Sequence, residues 1–313
     1  MIRLALLLPL LAAAAPAYAI NGNAGTSAAQ FLKLGAGSRA GGMGEAYSAV
    51  ADDVYGVYYN PAALTRLTGS QLAASHAEHF QGISYDFAGF AYPMGRETDH
   101  SKHVLAAAIY NLSVADIERR SGDTRSPIGT FEAGDYAYNL SYAYRATPRL
   151  SLGVTGKLIH ETIDSYSASA YAADLAALYT VPGVFGRPLW LSGVIKNMGS
   201  DISFAGVSDP LPRGFTVGAG MPVFARTKLA LDVTKFRDTQ LFVGTGVEYT
   251  HPFSDNVSGA LRAGLNTHRM ENDGLNIMTF GAGVNFYRAG FDFAWVPYGD
   301  LGNTFRFSLL LKF

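Results

Sequence analysis

The spacing nearest to metal chemistry in this 313-residue chain is His76-Ala77-Glu78-His79, taken from a total of 7 histidines and no cysteine. Two imidazoles and a carboxylate make a divalent-ion site when all three share one face. The alternation around them reads as a strand, and on a strand a three-residue step sends His76 and His79 to opposite faces. The expected role is therefore structural or interfacial. Zero cysteine removes thiolate ligands, disulfides and thiol nucleophiles together. Ser, His and Asp are all present, but no Gly-x-Ser-x-Gly elbow marks a nucleophile. The glycine-dense run Gly35 to Gly44 follows no strand and lacks the Gly-Lys-Ser/Thr ending of a phosphate loop. The residues point to no enzyme, no cofactor and no metal.

Charge is the remaining chemistry, and it is scarce. Charged residues make up 16% of the chain, while Gly (35), Phe (19) and Tyr (18) are abundant. With 24 Lys+Arg against 25 Asp+Glu there is no basic field for nucleic acid. Several charges that do occur fall at alternate positions opposite aromatic or aliphatic residues: Lys157, Glu161, Asp174, Asp232, Glu248, Arg262, Asp292 and Arg306. Around them Tyr136, Tyr138, Leu140, Tyr142 and Tyr144 oppose Asn139 and Ser141, and Phe291, Phe293 and Trp295 oppose Gly290 and Asp292. One face is oily; the other carries small residues and a few mixed charges. An open solvent face would carry more Lys and Glu, so the second face reads as a narrow lumen. In that lumen Asp232, Glu248, Arg262, Asp292 and Arg306 are expected to pair with one another as a structural network.

The elements that position these residues are strands. From Ser70 onward, segments of about ten residues alternate with period 2 between Gly, Pro, Asn and Asp breaks. They fall near 70–80, 84–93, 102–111, 134–147, 150–161, 168–180, 188–198, 212–221, 226–236, 241–251, 256–268, 274–286, 288–297 and 304–313. Fourteen such segments, with the longest gaps at 112–133 and 199–211 and tight turns such as Thr147-Pro148-Arg149, fit an antiparallel outer-membrane barrel of the all-β class. The final segment alternates Phe305, Phe307, Leu309, Leu311 and Phe313, which looks like the signal read by the outer-membrane assembly machinery. Phe313 is the expected assembly signal.

Residues 1–19 read as a cleaved secretory leader, with Arg3, an apolar run from Leu4 to Ala15, and Ala17-Tyr18-Ala19 as cleavage site. The run is shorter than the ~20 residues a spanning helix needs. Between residues 20 and 69 the period changes. Ala40, Met43, Ala46, Tyr47 and Val50 fall at helical spacing, and Asn60-Pro61-Ala62 reads as a helix start, with Asn60 as cap and Pro61 in the first turn. A compact helical segment ahead of a barrel would plug its lumen, its glycines allowing close approach to the wall.

This segment carries a resemblance. Gln30-Phe31-Leu32, Gly35, Arg39, Ala40, Met43-Gly44-Glu45-Ala46, Asp52-Asp53 and Asn60-Pro61-Ala62 resemble the N-terminal signature of the PorV/PorQ family. That family is similar to the FadL long-chain fatty acid transporters, which share an Asn-Pro-Ala element in an N-terminal hatch. The resemblance implies a fourteen-stranded barrel in a Gram-negative-type outer membrane, with Phe31, Arg39, Gly44, Asp52, Asp53, Asn60, Pro61 and Ala62 as plug residues in structural or gating roles. It also implies one of two functions: passage of hydrophobic compounds, or service as a component of protein secretion. The alternatives are a type IX-like cargo shuttle or docking protein without small-molecule transport, and a purely structural barrel. The expected partners are outer-membrane lipid, the assembly machinery, and either a hydrophobic small molecule or secretion-system proteins. A docking role would use loops 112–133 and 199–211, the first of which carries Glu118, Arg119, Arg120, Asp123 and Arg125.

Overall fold

The structure is a computed structural model and describes residues 22–95, 102–204, 206–269 and 274–313. Residues 1–19, read as a leader, lie outside the described residues. The strands are β1 (Gln71–Glu78), β2 (Ile83–Met94), β3 (His103–Arg119), β4 (Gly129–Arg145), β5 (Leu150–Ile163), β6 (Tyr166–Val184), β7 (Arg187–Gly199), β8 (Ile202–Phe204), β9 (Val207–Asp209), β10 (Gly214–Phe224), β11 (Thr227–Phe236), β12 (Phe242–Ser254), β13 (Val257–Asn266), β14 (Met278–Phe286), β15 (Ala289–Pro297) and β16 (Asn303–Lys312). All but β8 and β9 join one closed antiparallel barrel of fourteen strands in chain order, sealed by β1 against β16. Closure removes the edges that an open sheet would expose, so every barrel strand finds partners on both sides. No helix among the described residues is long and apolar enough to cross a membrane.

The alternation sorts as expected. Leu140 and Leu261 are each 66% exposed on the outside, whereas Asn139 and Ser141, one position away from Leu140, are buried inside. Phe280 and Trp295 stack at 5.9 Å on the outer wall, and Phe293 and Phe305 at 6.0 Å. An exposed ring of this kind is stable where the solvent is hydrocarbon.

Two gaps differ from the sequence reading. Residues 112–133 are largely strand: β3 and β4 stay paired through a bulge between Val114 and Ile117, out to Arg119 opposite Gly129. Above the apolar band nothing selects for oily residues, so the alternation fades while the backbone pairing continues. The second gap, 199–211, contains the β8–β9 hairpin, with Ile202 and Leu211 buried.

Gln71 pairs with Lys312, and the Phe313 amide donates to the Ser70 carbonyl at 2.9 Å, so the barrel begins and ends at one rim. Described turns there, such as Phe185–Gly186 and Asp255–Asn256, are tight, which marks this rim as periplasmic. The Phe313 ring is 63% exposed, free to be read by another protein. Deleting Phe313 is expected to cut the heat-modifiable, folded fraction in outer membranes several-fold, with little change once a barrel has formed. Equal folded fractions with and without Phe313 in a gel-shift assay would remove its role as a signal.

Candidate functional site: the plugged lumen

Residues 27–67 run down the inside of the barrel from one rim to the other. At the extracellular rim the Ala28 amide donates to the Pro210 carbonyl at 3.0 Å, and Gln30 and Lys33 both reach Asp238 Oδ2, at 2.8 and 2.9 Å. At the periplasmic rim Thr65 Oγ1 meets Ser151 Oγ at 2.7 Å, Arg145 donates to the Thr65 carbonyl, and the Arg66 guanidinium lies 4.2 Å from the Trp190 ring centroid. Between these anchors Phe31, Met43, Tyr47, Val54, Val57 and Leu64 are fully or almost fully buried.

The local structure departs from the helix expected over 40–50. Within it only Ser38–Gly41 forms a helix, because Gly44 and Glu45 adopt φ values of +63° and +62° and break the chain before the single turn at Tyr47–Ala51. Ala40, Met43, Ala46, Tyr47 and Val50 are buried as expected, but on successive turns. The left-handed residues fold the chain flat against the wall, where a Cβ on Gly264 would overlap the Gly44 amide nitrogen. Backbone-to-backbone approach takes the place of a helix face.

The Asn-Pro-Ala element is a cap. Asn60 Oδ1 accepts from the Ala62 amide at 3.0 Å, Pro61 opens the 3₁₀ helix Pro61–Arg66, and Asn60 Nδ2 donates to the Ser48 carbonyl at 2.7 Å. One amide thus fixes both the helix and the turn packed on it. Asn60→Ala removes both bonds at a site with 0% exposure; a lost cap costs about 0.5–2 kcal/mol, and leaving the Ser48 carbonyl buried without a partner adds to that. The expected result is faster protease cleavage within 27–67 while the barrel still shifts on heating. Identical cleavage rates would count against it.

Charges organise the rest. Arg39 sits at the centre: Nε and Nη2 hold the two oxygens of Glu248 at 2.7 and 2.8 Å, while Nη1 reaches Asp52 and, at 3.1 Å, Asp53. Lys228 closes on Asp52 at 2.8 Å, and Arg262 joins Glu248 at 2.7 Å to Asp292 at 2.6 Å. Burial alone would push the Asp52 carboxyl up, but Arg39 and Lys228 hold it well below the usual carboxylate range. Burial likewise opposes ionisation of Glu45, and Arg306 and Arg269 overcome it and hold Glu45 low. A carboxyl with a lowered folded-state pKa contributes stability that persists above its unfolded value and disappears as pH falls through the lower folded one. Protection of the plug from protease should therefore persist as pH drops through about 4, where free carboxylates protonate, and fail only in stronger acid. Loss of protection already near pH 5 would contradict these ion pairs.

The expected mutual pairing of lumen charges holds for Glu248, Arg262 and Asp292 and fails for two others. Asp232 serves the plug: it accepts from the Tyr47 and Ser48 amides at 3.0 and 2.9 Å and from Ser48 Oγ at 2.7 Å. Arg306 also turns to the plug, binding Glu45 and the Gly35 carbonyl, each at 3.0 Å. Plug groups come closer to these side chains than neighbouring strands do, and a buried charge takes the nearest complement. Lys157 forms a separate cluster with Asp174 at 2.7 Å and Asn197 Oδ1 at 2.8 Å. Reading the sequence misses Lys228, Glu45 and Ser48 as latch residues. Only their partners' positions inside the lumen, invisible in one dimension, single them out.

His76 and His79 do lie on different sides. His76 Nδ1 meets Asp86 at 2.7 Å on the outer wall, whereas His79 is buried beside Thr304 and Arg306, its pKa lowered to about 4 by burial and then by Arg306. Among the described residues no group of three or more His, Asp or Glu is placed to hold a metal ion.

A closed fourteen-strand barrel, aromatic outside and filled by its own N-terminal segment, defines an outer-membrane barrel protein. The chain belongs to the PorV family: the family model described as type IX secretion system protein PorV matches residues 18–245. No curated protein matches it in sequence. Among solved structures it is similar to the Ralstonia pickettii toluene transporter TbuX, with TM-score 0.60 at 12% identity, covering 89% of this chain and 98% of that one. It is also similar to the CymD monoaromatic hydrocarbon channel, with TM-score 0.58 at 11% identity over 89% and 98% of the two chains. The Pseudomonas putida toluene transporter TodX gives 0.56 at 10% identity over 87% and 95%. At such identities the likeness is one of fold.

Proposed function

We propose that this barrel is an outer-membrane component of protein secretion, a sealed docking platform with no catalytic role. In this reading residues 1–19 are a cleaved leader, 20–69 the plug and 70–313 the barrel, in the outer membrane of a Gram-negative-type bacterium. The observation that supports it is the state of the lumen. Between plug and wall, among the described residues, lies a slot of about 30 Å³ lined by Lys33, Glu45, Tyr58, Tyr59, Lys196 and Asp232. A dry cavity of about 150 Å³ is what accepts a benzene ring, so this slot is both too small and too polar for a monoaromatic guest. Family membership supports the same reading.

Passage of hydrophobic compounds is the second reading, favoured by the fold shared with hydrocarbon channels; it requires the plug to move. Deleting the gene in its host separates the two. Secretion predicts that surface and secreted proteins accumulate in the periplasm while uptake of a radiolabelled apolar compound is unchanged. Lost uptake with an unchanged secreted proteome would move the assignment to transport.

A further inference from the structure

The periplasmic rim repeats one arrangement around the barrel. Val184 pairs with Arg187, Phe224 with Thr227 and Phe286 with Ala289, so three hairpins close in the tight turns Phe185–Gly186, Ala225–Arg226 and Tyr287–Arg288. Left-handed φ values at Phe185, Gly186 and Tyr287 belong to such turns, which hold their side chains at the very end of the hairpin. Each turn sets an exposed aromatic ring beside a cation: Phe185 by Arg187, Phe224 by Arg226, Tyr287 by Arg288. Phe313 beside Lys312 repeats the pair at the end of β16, and Lys102 and Arg149 add cations at the β2–β3 and β4–β5 turns.

Acid is nearly absent from this rim. Among the described residues of its turns, Asp255 between β12 and β13 is the one acidic side chain. None of Lys102, Arg149, Arg187, Arg226, Arg288 and Lys312 stands in an ion pair among the described residues. Arg226 meets His251 Nδ1 at 3.3 Å. Arg66 and Arg145, at the same rim, are turned to backbone carbonyls of the plug and do not belong to the ring. The extracellular turns are different: Asp123, Asp164, Asp201, Asp209 and Asp300 stand among Arg120, Arg125 and Arg213, and Arg119 pairs with Asp164 and Arg120 with Glu118. One rim is mixed in sign and the other is almost purely cationic.

From this we infer that the periplasmic rim is a binding ring for net-anionic phospholipid headgroups of the phosphatidylglycerol class, their phosphodiester oxygens held by the guanidinium and ammonium groups. Aromatic rings settle at the edge of the hydrocarbon, and cations beside them reach the phosphate level just beyond it. Arg adds a planar fork that matches two phosphate oxygens. Distribution selects lipid over protein. In barrel order the cations fall on the β2–β3, β4–β5, β6–β7, β10–β11 and β14–β15 turns and at the end of β16, right around the circumference. A lipid annulus meets the wall in every sector, whereas a folded partner covers one. Charge selects the headgroup. A zwitterionic head brings its own ammonium, which finds no acid at these cationic turns and is repelled, while a net-anionic head brings only the complement. The ring is independent of the plug and of the secretion reading.

The test reconstitutes the full barrel in phosphatidylcholine bilayers with a trace of spin-labelled phosphatidylglycerol, phosphatidylethanolamine or phosphatidylcholine. Electron paramagnetic resonance then reads the fraction of each label immobilised on the wall. Phosphatidylglycerol is expected to be favoured over phosphatidylcholine about threefold or more at low salt, and molar salt should abolish most of that preference. Phosphatidylethanolamine should behave as phosphatidylcholine does. The triple variant Arg187→Gln/Arg226→Gln/Arg288→Gln should bring the preference close to parity while keeping the heat-modifiable form; the salt series on the parent tests the ring without any variant. Arg120→Gln/Arg125→Gln/Arg213→Gln, which removes the same charge from extracellular turns, should leave the preference in place. Equal immobilisation of the three lipids by the parent, a preference indifferent to salt or to the inner-rim variant, or equal loss in the extracellular control would overturn the ring. So would a stoichiometric periplasmic protein, extracted with the parent and lost from the inner-rim variant, because the cations would then be a protein contact.

Discussion

Replacing Arg39 by methionine should turn a closed barrel into a conducting one. Arg39 contacts Glu248, Asp52 and Asp53 together, with its side chain only 15% exposed. Its loss leaves three acids facing each other, with Lys228 and Arg262 still beside them. Breaking a buried pair by deleting one partner costs about 3–5 kcal/mol, comparable to the whole stability margin of many small domains. The wall has fourteen strands of its own hydrogen bonds and should survive; the plug, which depends on side-chain latches, should not. In planar bilayers the variant is expected to show stepwise conductance where the parent shows little, together with rapid protease cleavage between residues 27 and 67. Adding Glu248→Gln to Arg39→Met should restore part of the closure by removing one uncompensated charge. If the single variant stays as closed and as protease-resistant as the parent, the cluster is not the latch.

Gly264→Val should have a comparable effect by a different route. Gly264 faces the lumen, and any Cβ there would overlap both the Gly44 nitrogen and the Met43 carbonyl carbon. Those are backbone atoms, which cannot swing aside as a flexible side chain could. Gly44 itself cannot accept a side chain either: its φ is +63° and its Cβ would collide with the Leu265 carbonyl oxygen. The barrel should still assemble, since Val is at home in a strand, but the plug should be displaced. Expected readings are a normal heat shift, protease sensitivity confined to the plug, and added conductance. Gly156→Val, at a position where a Cβ meets nothing within 4 Å, is the matched control. Similar behaviour of the two variants would show that close approach at Gly264 is unimportant.

What is legible in one dimension and what is not divides along particular residues. Tyr138, Leu140 and Tyr142 can be assigned to the outside and Asn139 and Ser141 to the inside from alternation together with the small, sparsely charged second face, because a bilayer imposes a period-2 pattern on every strand that crosses it and a solvent face would carry more Lys and Glu. Asn60 can be named as a cap because its partner, the Ala62 amide, is two residues away. The partner of Arg306 cannot be named: it is Glu45, and the alternatives Asp292 and Asp232 are equally reasonable on the barrel wall. The helix expected over Ala40 to Val50 is absent for a similar reason. Helical spacing identifies the buried residues there, but the left-handed turns at Gly44 and Glu45 exist to fit a wall that local sequence does not describe.

Periodicity and the contrasting composition of the two faces were therefore enough for the fourteen-strand barrel, for the side of the wall on which Tyr138, Asn139 and their neighbours lie, and for a separate N-terminal element. Three-dimensional packing was needed to show that residues 27–67 pack inside the barrel and that Asp232 and Arg306 bind them. Those outcomes depend on which side chains and glycines meet across long stretches of chain, as Gly44 and Gly264 do, and short-range propensity carries no information about such meetings.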